Sequence, residues 1–279
     1  MLGILWVMYL GIDVGGTKTL VASLTNEGVI TEILKFPTPK SYPAFVDQLR
    51  DTIYSLKEKH FRAAGIAVPG KVDRVHGIGE DFGNLPWHDV PIQSDLERIV
   101  NVPVVLENDA NAAALSEAML LKKEFSVVLY VTIGTGIGTG IIVDQKIDEA
   151  FEDSEGGHMM LEYQGELVKW ENFASGHAIF DRFGKKAAEI EDAKTWKIIS
   201  HDIARGLIDL IALVQPDGII LGGGIATHLP KYEKYLLAEL KKFETPLTPI
   251  PAIRKAQRPE EAVVYGCFDL AKERYGKIT

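Results

Sequence analysis

Short apolar runs bounded by glycine, proline and asparagine alternate along the chain with stretches whose apolar residues recur every three or four positions. The first pattern predicts buried strands and the second amphipathic helices. Tyr9–Val14 reads as the first strand; a glycine turn, a second strand and an Asn26-Glu27-Gly28 turn follow. Residues 41–60 predict a helix capped by Ser41, with Phe45, Leu49, Ile53 and Leu56 along one stripe. Residues 63–68 predict a strand ending in a Pro69-Gly70 turn. In "SDLERIV" Ser94 and Glu97 have the spacing of a capping box. A strand over 102–109 leads into an alanine-rich helix over 110–121. Residues 126–144 again read strand, glycine turn, strand. Residues 201–214 predict a helix with Ile203, Leu207, Ile211 and Val214 inward, 219–224 a strand, and 262–276 a last helix.

The second half partly repeats the first: "LGIDVGGT" at Leu10 lines up with "VTIGTGIG" at Val131. Two such units predict two similar α/β domains facing each other, with a ligand in the cleft between them. The boundaries read 1–112 for the first, completed by the C-terminal helix 262–279, and 113–261 for the second. The chain has 279 residues, 46% of them hydrophobic and 25% charged, which fits an ordinary folded protein of that size. Its net charge of −9 argues against nucleic-acid binding through a basic surface. With one cysteine, Cys267, neither an intrachain disulfide nor a cysteine-rich zinc site can form. The apolar start lacks a basic segment and a cleavage site, and is too short to span a bilayer. Met8 is a candidate natural start, with residues 1–7 as an upstream extension. A cytoplasmic protein without membrane or nucleic-acid partners is expected.

Gly134, Gly136, Gly138 and Gly140 occupy alternate positions in a β-branched run. Glycine weakens a strand, so its repeated use there implies a close approach by something else. The spacing is wrong for a dinucleotide fingerprint, which opens a helix. "GIAVPGKV" falls short of a phosphate-binding loop, because Val72 stands where the magnesium-binding hydroxyl belongs and Pro69 lacks an amide. The hairpin turns remain. Their bare amides suit phosphate oxygens, though each alone would also make an ordinary tight turn. The first adds Asp13, Thr17 and Lys18. Asp13 could hold Mg²⁺, directly or through water.

In order and spacing, "GIDVGGTK", "VPGKVD", "NLPW", "LENDANAAALSE", "VTIGTGIGTGII", "EGGH" and "LGGG" resemble the ROK family of sugar kinases and repressors, over residues 9–275. The resemblance implies the α/β, actin-like (ribonuclease H-like) ATPase fold, two domains around a cleft. It implies phosphate or ATP binding by Asp13, Gly15, Gly16, Thr17, Lys18, Gly134, Thr135, Gly136 and Gly138, with Gly222, Gly223 and Gly224 beside adenosine. Asp109 matches the catalytic base, a role its place at a helix N-terminus suits by favouring the ionised form. Read locally, the same position equally suits an N-capping Asp. Gly70, Asn84, Asn108, Glu155, His158 and Glu171 match sugar contacts, with Asn111 supporting the turn.

The largest departure from the family follows His158, where the usual zinc-binding cysteines are absent. A lone histidine with carboxylates makes a poor structural zinc site, so no zinc is expected. The loop must be held otherwise, by packing of Trp170 and Phe173. Polyphosphate-using relatives share this loss, while the intact "GTGIGTG" favours ATP. The expectation is an ATP- and Mg²⁺-dependent hexose kinase making glucose 6-phosphate. N-acetylmannosamine, N-acetylglucosamine, mannose, fructose and allose are rival substrates, and a catalytically silent sugar sensor is the rival of another class. The resemblance allows a homodimer.

Overall fold

The computed structural model describes residues 7–122, 124–258 and 260–276. Residues 1–6, most of the suspected upstream extension, lie outside the described residues. The chain forms two compact units: Met1–Ser116 with Glu260–Thr279, and Glu117–Pro259. Among the described residues no helix is long and apolar enough to cross a membrane.

Through the first unit run β1 (Met8–Val14), β2 (Lys18–Thr25), β3 (Ile30–Pro37), α1 (Tyr42–Ser55), β4 (Ala63–Val68), β5 (Lys71–Asp73), β6 (Ile78–Asp81), β7 (His88–Val90), α2 (Ile92–Val100), β8 (Val104–Asn108) and α3 (Asp109–Leu120). Its main sheet has the order β3-β2-β1-β4-β8. The β1–β2–β3 meander is antiparallel, and β1, β4 and β8 are parallel. β1 and β4 are buried along almost their whole length, which is why they read as continuous apolar runs. On one face, Phe45, Leu49 and Ile53 of α1 and Leu56 beyond it pack with Leu10, Ile66, Trp87 and Leu106. Each large side chain buried this way contributes about 1.5–3 kcal/mol before entropy is counted.

Helix capping departs from the expectation in two places. α2 begins at Ile92 with Pro91 as its N-cap. Ser94 lies inside the first turn and donates to Pro91 O at 3.1 Å. Glu97 accepts from Gln93 Nε2 (3.4 Å) and Val104 N (3.3 Å), so no capping box forms. Proline at the preceding position fixes φ and starts the helix earlier than the Ser-x-x-Glu spacing implies. Ser41 does occupy the N-cap position of α1, but its side chain makes no capping bond.

The second unit contains β9 (Val127–Ile133), β10 (Ile137–Val143), β11 (Lys146–Ile147), β12 (Met160–Tyr163), β13 (Glu166–Lys169), α4 (Glu171–Ala174), α5 (Gly176–Phe183), α6 (Ala193–Val214), β14 (Gly218–Gly222), α7 (Gly223–Ala226), α8 (Leu229–Leu240) and β15 (Ala252–Lys255). Its sheet order is β11-β10-β9-β14-β15, again an antiparallel hairpin followed by two parallel steps. This is the internal repeat in structural form. α6 buries Trp196, Ile199, Ile203, Leu207 and Ile211 within the core of this unit, and α8 packs on it. Val214 is only half-buried. The last helix, α9 (Ala262–Tyr275), belongs to the first unit and packs on β1 and β4.

Candidate active site

In the first unit the parallel strands deliver polar residues to one edge of the sheet, their carboxyl ends. Asp13 near the end of β1 lies opposite Ala67 of β4, and Asn108 at the end of β8 lies opposite Val68. Burial, then the nearby Asp109 carboxylate, pushes the Asp13 carboxyl up to about 7, while Lys18 pulls it down. Asp13 and Asp109 are therefore close enough to repel. A carboxylate so placed fits a hard divalent cation, which would relieve both the burial and the repulsion.

The β8–α3 junction explains how Asp109 is held. Asn108 Oδ1 accepts from Ala110 N (2.8 Å) and Asn111 N (3.1 Å), so Asn108 is the side chain that caps α3. Its Nδ2 donates to Gly70 O at 2.9 Å, joining this junction to the turn after β4. Gly70 has φ +84°, where only glycine is comfortable. Asp109 opens α3, with Oδ1 2.8 Å from Ala110 N. Beneath them lies Glu107, 5% exposed. It accepts from Arg74 Nη2 (2.5 Å) and Nε (3.0 Å), from Asn108 N (2.7 Å) and from Asn111 Nδ2 (3.1 Å). Asn111 thus supports the junction as expected. Arg74 and Glu107 were not among the expected site residues.

The first glycine turn, Gly15–Thr17, joins β1 to β2. Lys18 begins β2 and pairs with Glu260 at 3.8 Å, both half-exposed. Asn84 is exposed on the loop between β6 and β7. Trp87 is packing, buried against Phe45, Tyr42 and Phe82, with Nε1 donating to Lys40 O at 2.9 Å.

In the second unit, the β9–β10 turn is tied to α5: Gly176 N donates to Gly134 O at 2.7 Å. Glu155, His158 and Glu171 gather beside it. His158 Nε2 lies 3.2 Å from Glu171 Oε1. Burial, against the pull of His158, raises the Glu155 carboxyl, and Glu171 raises it further. Glu171 Oε2 accepts from Ile137 N at 3.4 Å. A Cβ on Gly136 would stand 2.6 Å from that oxygen, whereas one on Gly134 would meet nothing within 4 Å. The bare turn therefore admits the Glu171 carboxylate at Gly136 and stays open at Gly134.

The segment bearing Glu171 is anchored by aromatic packing. Trp170 is fully buried and donates from Nε1 to Asp202 O at 3.1 Å. Phe173 stacks on Tyr163 with ring centroids 4.4 Å apart. Among the described residues no group of three or more His, Cys, Asp or Glu side chains is placed to hold a metal ion.

A cavity of about 560 Å³ opens beside the same turn, lined among others by Thr135, Gly176, Phe180, Lys186, Gly224 and His228. Gly222 closes β14, and Gly223 and Gly224 open α7. Phe180, Lys186 and His228 carry no motif, and nothing local in the sequence marks them.

The ROK family model matches residues 9–274. The chain belongs to the ROK family. It is 31% identical to a fructokinase from Pediococcus pentosaceus, over 85% of this chain and 88% of that protein. It is 28% identical to a glucokinase from Streptomyces coelicolor, over 95% and 97%. Among solved structures, a ROK family glucokinase from Streptomyces griseus, in complex with glucose and AMPPNP, superposes with a TM-score of 0.82 at 26% identity, covering 95% of this chain and 99% of that one. The fold is accordingly the actin-like ATPase fold of the ROK sugar kinases.

Proposed function

We propose that this ROK protein is an ATP-dependent hexose kinase that moves the γ-phosphoryl group of ATP to a sugar hydroxyl, converting glucose to glucose 6-phosphate. The observation that carries this reading is the carboxylate pair Asp13 and Asp109 at the carboxyl ends of β1 and β8. Asp109 takes the proton of the attacking hydroxyl, and Asn108 takes the α3 capping bonds from Ala110 N and Asn111 N, while Asp109 Oδ1 accepts from Ala110 N. Asp13 would hold Mg²⁺, directly or through water; bound there, the ion would neutralise charge on the phosphates. Sugar contacts are assigned to Gly70, Asn84, Asn108 and Asp109 in the first unit and to Glu155, His158 and Glu171 in the second. The spare Asn108 Nδ2 hydrogen, the one not given to Gly70 O, is its available donor.

Phosphate contacts are assigned to Gly15, Gly16, Thr17 and Lys18 in the first unit, and to Gly134, Thr135, Gly136 and Gly138 in the second. The 560 Å³ cavity beside Thr135 and Gly224 is the proposed seat of the adenosine, with Gly222, Gly223 and Gly224 along it. Fructose is the second reading of the acceptor, favoured by the likeness to the Pediococcus pentosaceus fructokinase. The test is ADP release from Mg–ATP against glucose, fructose, mannose and the N-acetylhexosamines. Turnover with glucose above the others supports the first reading, and a preference for fructose the second. Absence of turnover with every sugar refutes the kinase.

A further inference from the structure

The segment Thr38-Pro39-Lys40 follows β3 and takes up all three carbonyls of the first glycine turn. Thr38 Oγ1 donates to Gly15 O at 2.7 Å, and Thr38 N donates to Thr17 O at 3.0 Å. Lys40 Nζ donates to Gly16 O at 3.2 Å. In a trans peptide the carbonyl of one residue and the N–H of the next point in opposite directions. Pinning these carbonyls on one side therefore turns the amides of Gly16, Thr17 and Lys18 to the other. Among the described residues the Gly16 and Thr17 amides have no acceptor. Successive free amides aimed to one side form a concavity for anionic oxygens.

Lys40 does more than close the turn. Its Nζ also donates to Asn84 O at 3.2 Å, across 44 residues of sequence. Gly16 and Asn84 are in direct contact, since a Cβ on Gly16 would stand 2.9 Å from Asn84 Cβ. An ammonium has three N–H donors, so one remains after the two carbonyls are served. Its charge faces no carboxylate within ion-pair distance among the described residues, so it is not spent on a neighbour.

We propose that Lys40 is a positioning residue for phosphoryl transfer: a cationic staple that aims the amides of the first phosphate turn and locks that turn to the Asn84 loop. This rests on the kinase reading above. The loss on removal should fall on turnover and phosphate binding, because an exposed lysine bonded to carbonyls contributes little to stability.

The experiment compares wild type, Lys40→Met and Lys40→Arg in the full chain. It reads kcat, sugar KM, the dissociation constant for Mg–tripolyphosphate by calorimetry, and the thermal midpoint. Lys40→Met should lower kcat about tenfold or more and weaken tripolyphosphate about fivefold, with the midpoint nearly unchanged. Lys40→Arg, which keeps charge and multiple donors, should recover most of both. Wild-type turnover and binding retained within about twofold in Lys40→Met overturn this inference and leave the kinase reading intact. Equal impairment of the Met and Arg variants also overturns it. A wild type that neither turns over nor binds tripolyphosphate refutes the kinase reading itself, and this inference with it.

Discussion

Arg74→Met removes one member of the buried pair beneath Asp109. The Arg74 and Glu107 side chains are 17% and 6% exposed. Breaking a buried ion pair by removing one partner costs about 3–5 kcal/mol. Here the Glu107 carboxylate keeps two donors, Asn108 N and Asn111 Nδ2, so the lower end applies, about 3 kcal/mol. For a chain of this size each kcal/mol moves the thermal midpoint by about 2–4 °C, which gives a fall of about 6–12 °C. Glu107→Gln in the same background removes the stranded charge and keeps an oxygen for the two asparagine donors. The double variant should therefore recover most of the loss, with a coupling of about 2 kcal/mol. Calorimetric melting of the four proteins measures this cycle. Midpoints within about 2 °C of wild type for Arg74→Met, or additive single effects, would show that Arg74 and Glu107 are not energetically coupled. The same variant should lower kcat, because Glu107 accepts from the backbone N–H of Asn108, next to Asp109.

Two further outcomes follow from the geometry. In metal-free protein the Asp13 carboxyl at about 7, against 3.8 for an unperturbed group, leaves the folded state holding a proton that the unfolded chain has lost. Stability should therefore fall as pH rises from about 4 to about 7; melting curves across that range should flatten in Asp13→Asn. Gly136→Ala places a methyl 2.6 Å from Glu171 Oε2, a flexible carboxylate that can swing away. Melting should shift little while sugar KM rises about tenfold, and Gly134→Ala, facing open space, should leave sugar KM unchanged in the same steady-state assay.

Much of this was legible in the sequence because it is local. The strand–glycine turn–strand units and the Phe45-Leu49-Ile53-Leu56 stripe are set by neighbouring residues, and each is present. Asp109 at the head of a helix was equally legible, but its neighbour's role was not: Asn108 caps α3, a choice between adjacent polar residues that spacing alone leaves open. The staples were invisible for a different reason. Arg74 meets Glu107 across 33 residues, and Lys40 meets Asn84 across 44, each from a loop without periodicity. Such pairings exist only once the sheets are assembled and bring these loops together. The bare Gly136 illustrates the same limit. Its alternation pointed to a close approach, and the group that approaches in this structure is Glu171, far along the chain.

The reading of this protein as a sugar kinase turns on Asp109 as the base. It is tested most directly by ADP release from Mg–ATP with a hexose panel, run on wild type and Asp109→Asn together. Turnover with one hexose that falls at least about a hundredfold in kcat in the variant is expected if Asp109 is the base. A variant as fast as wild type on that sugar would contradict it.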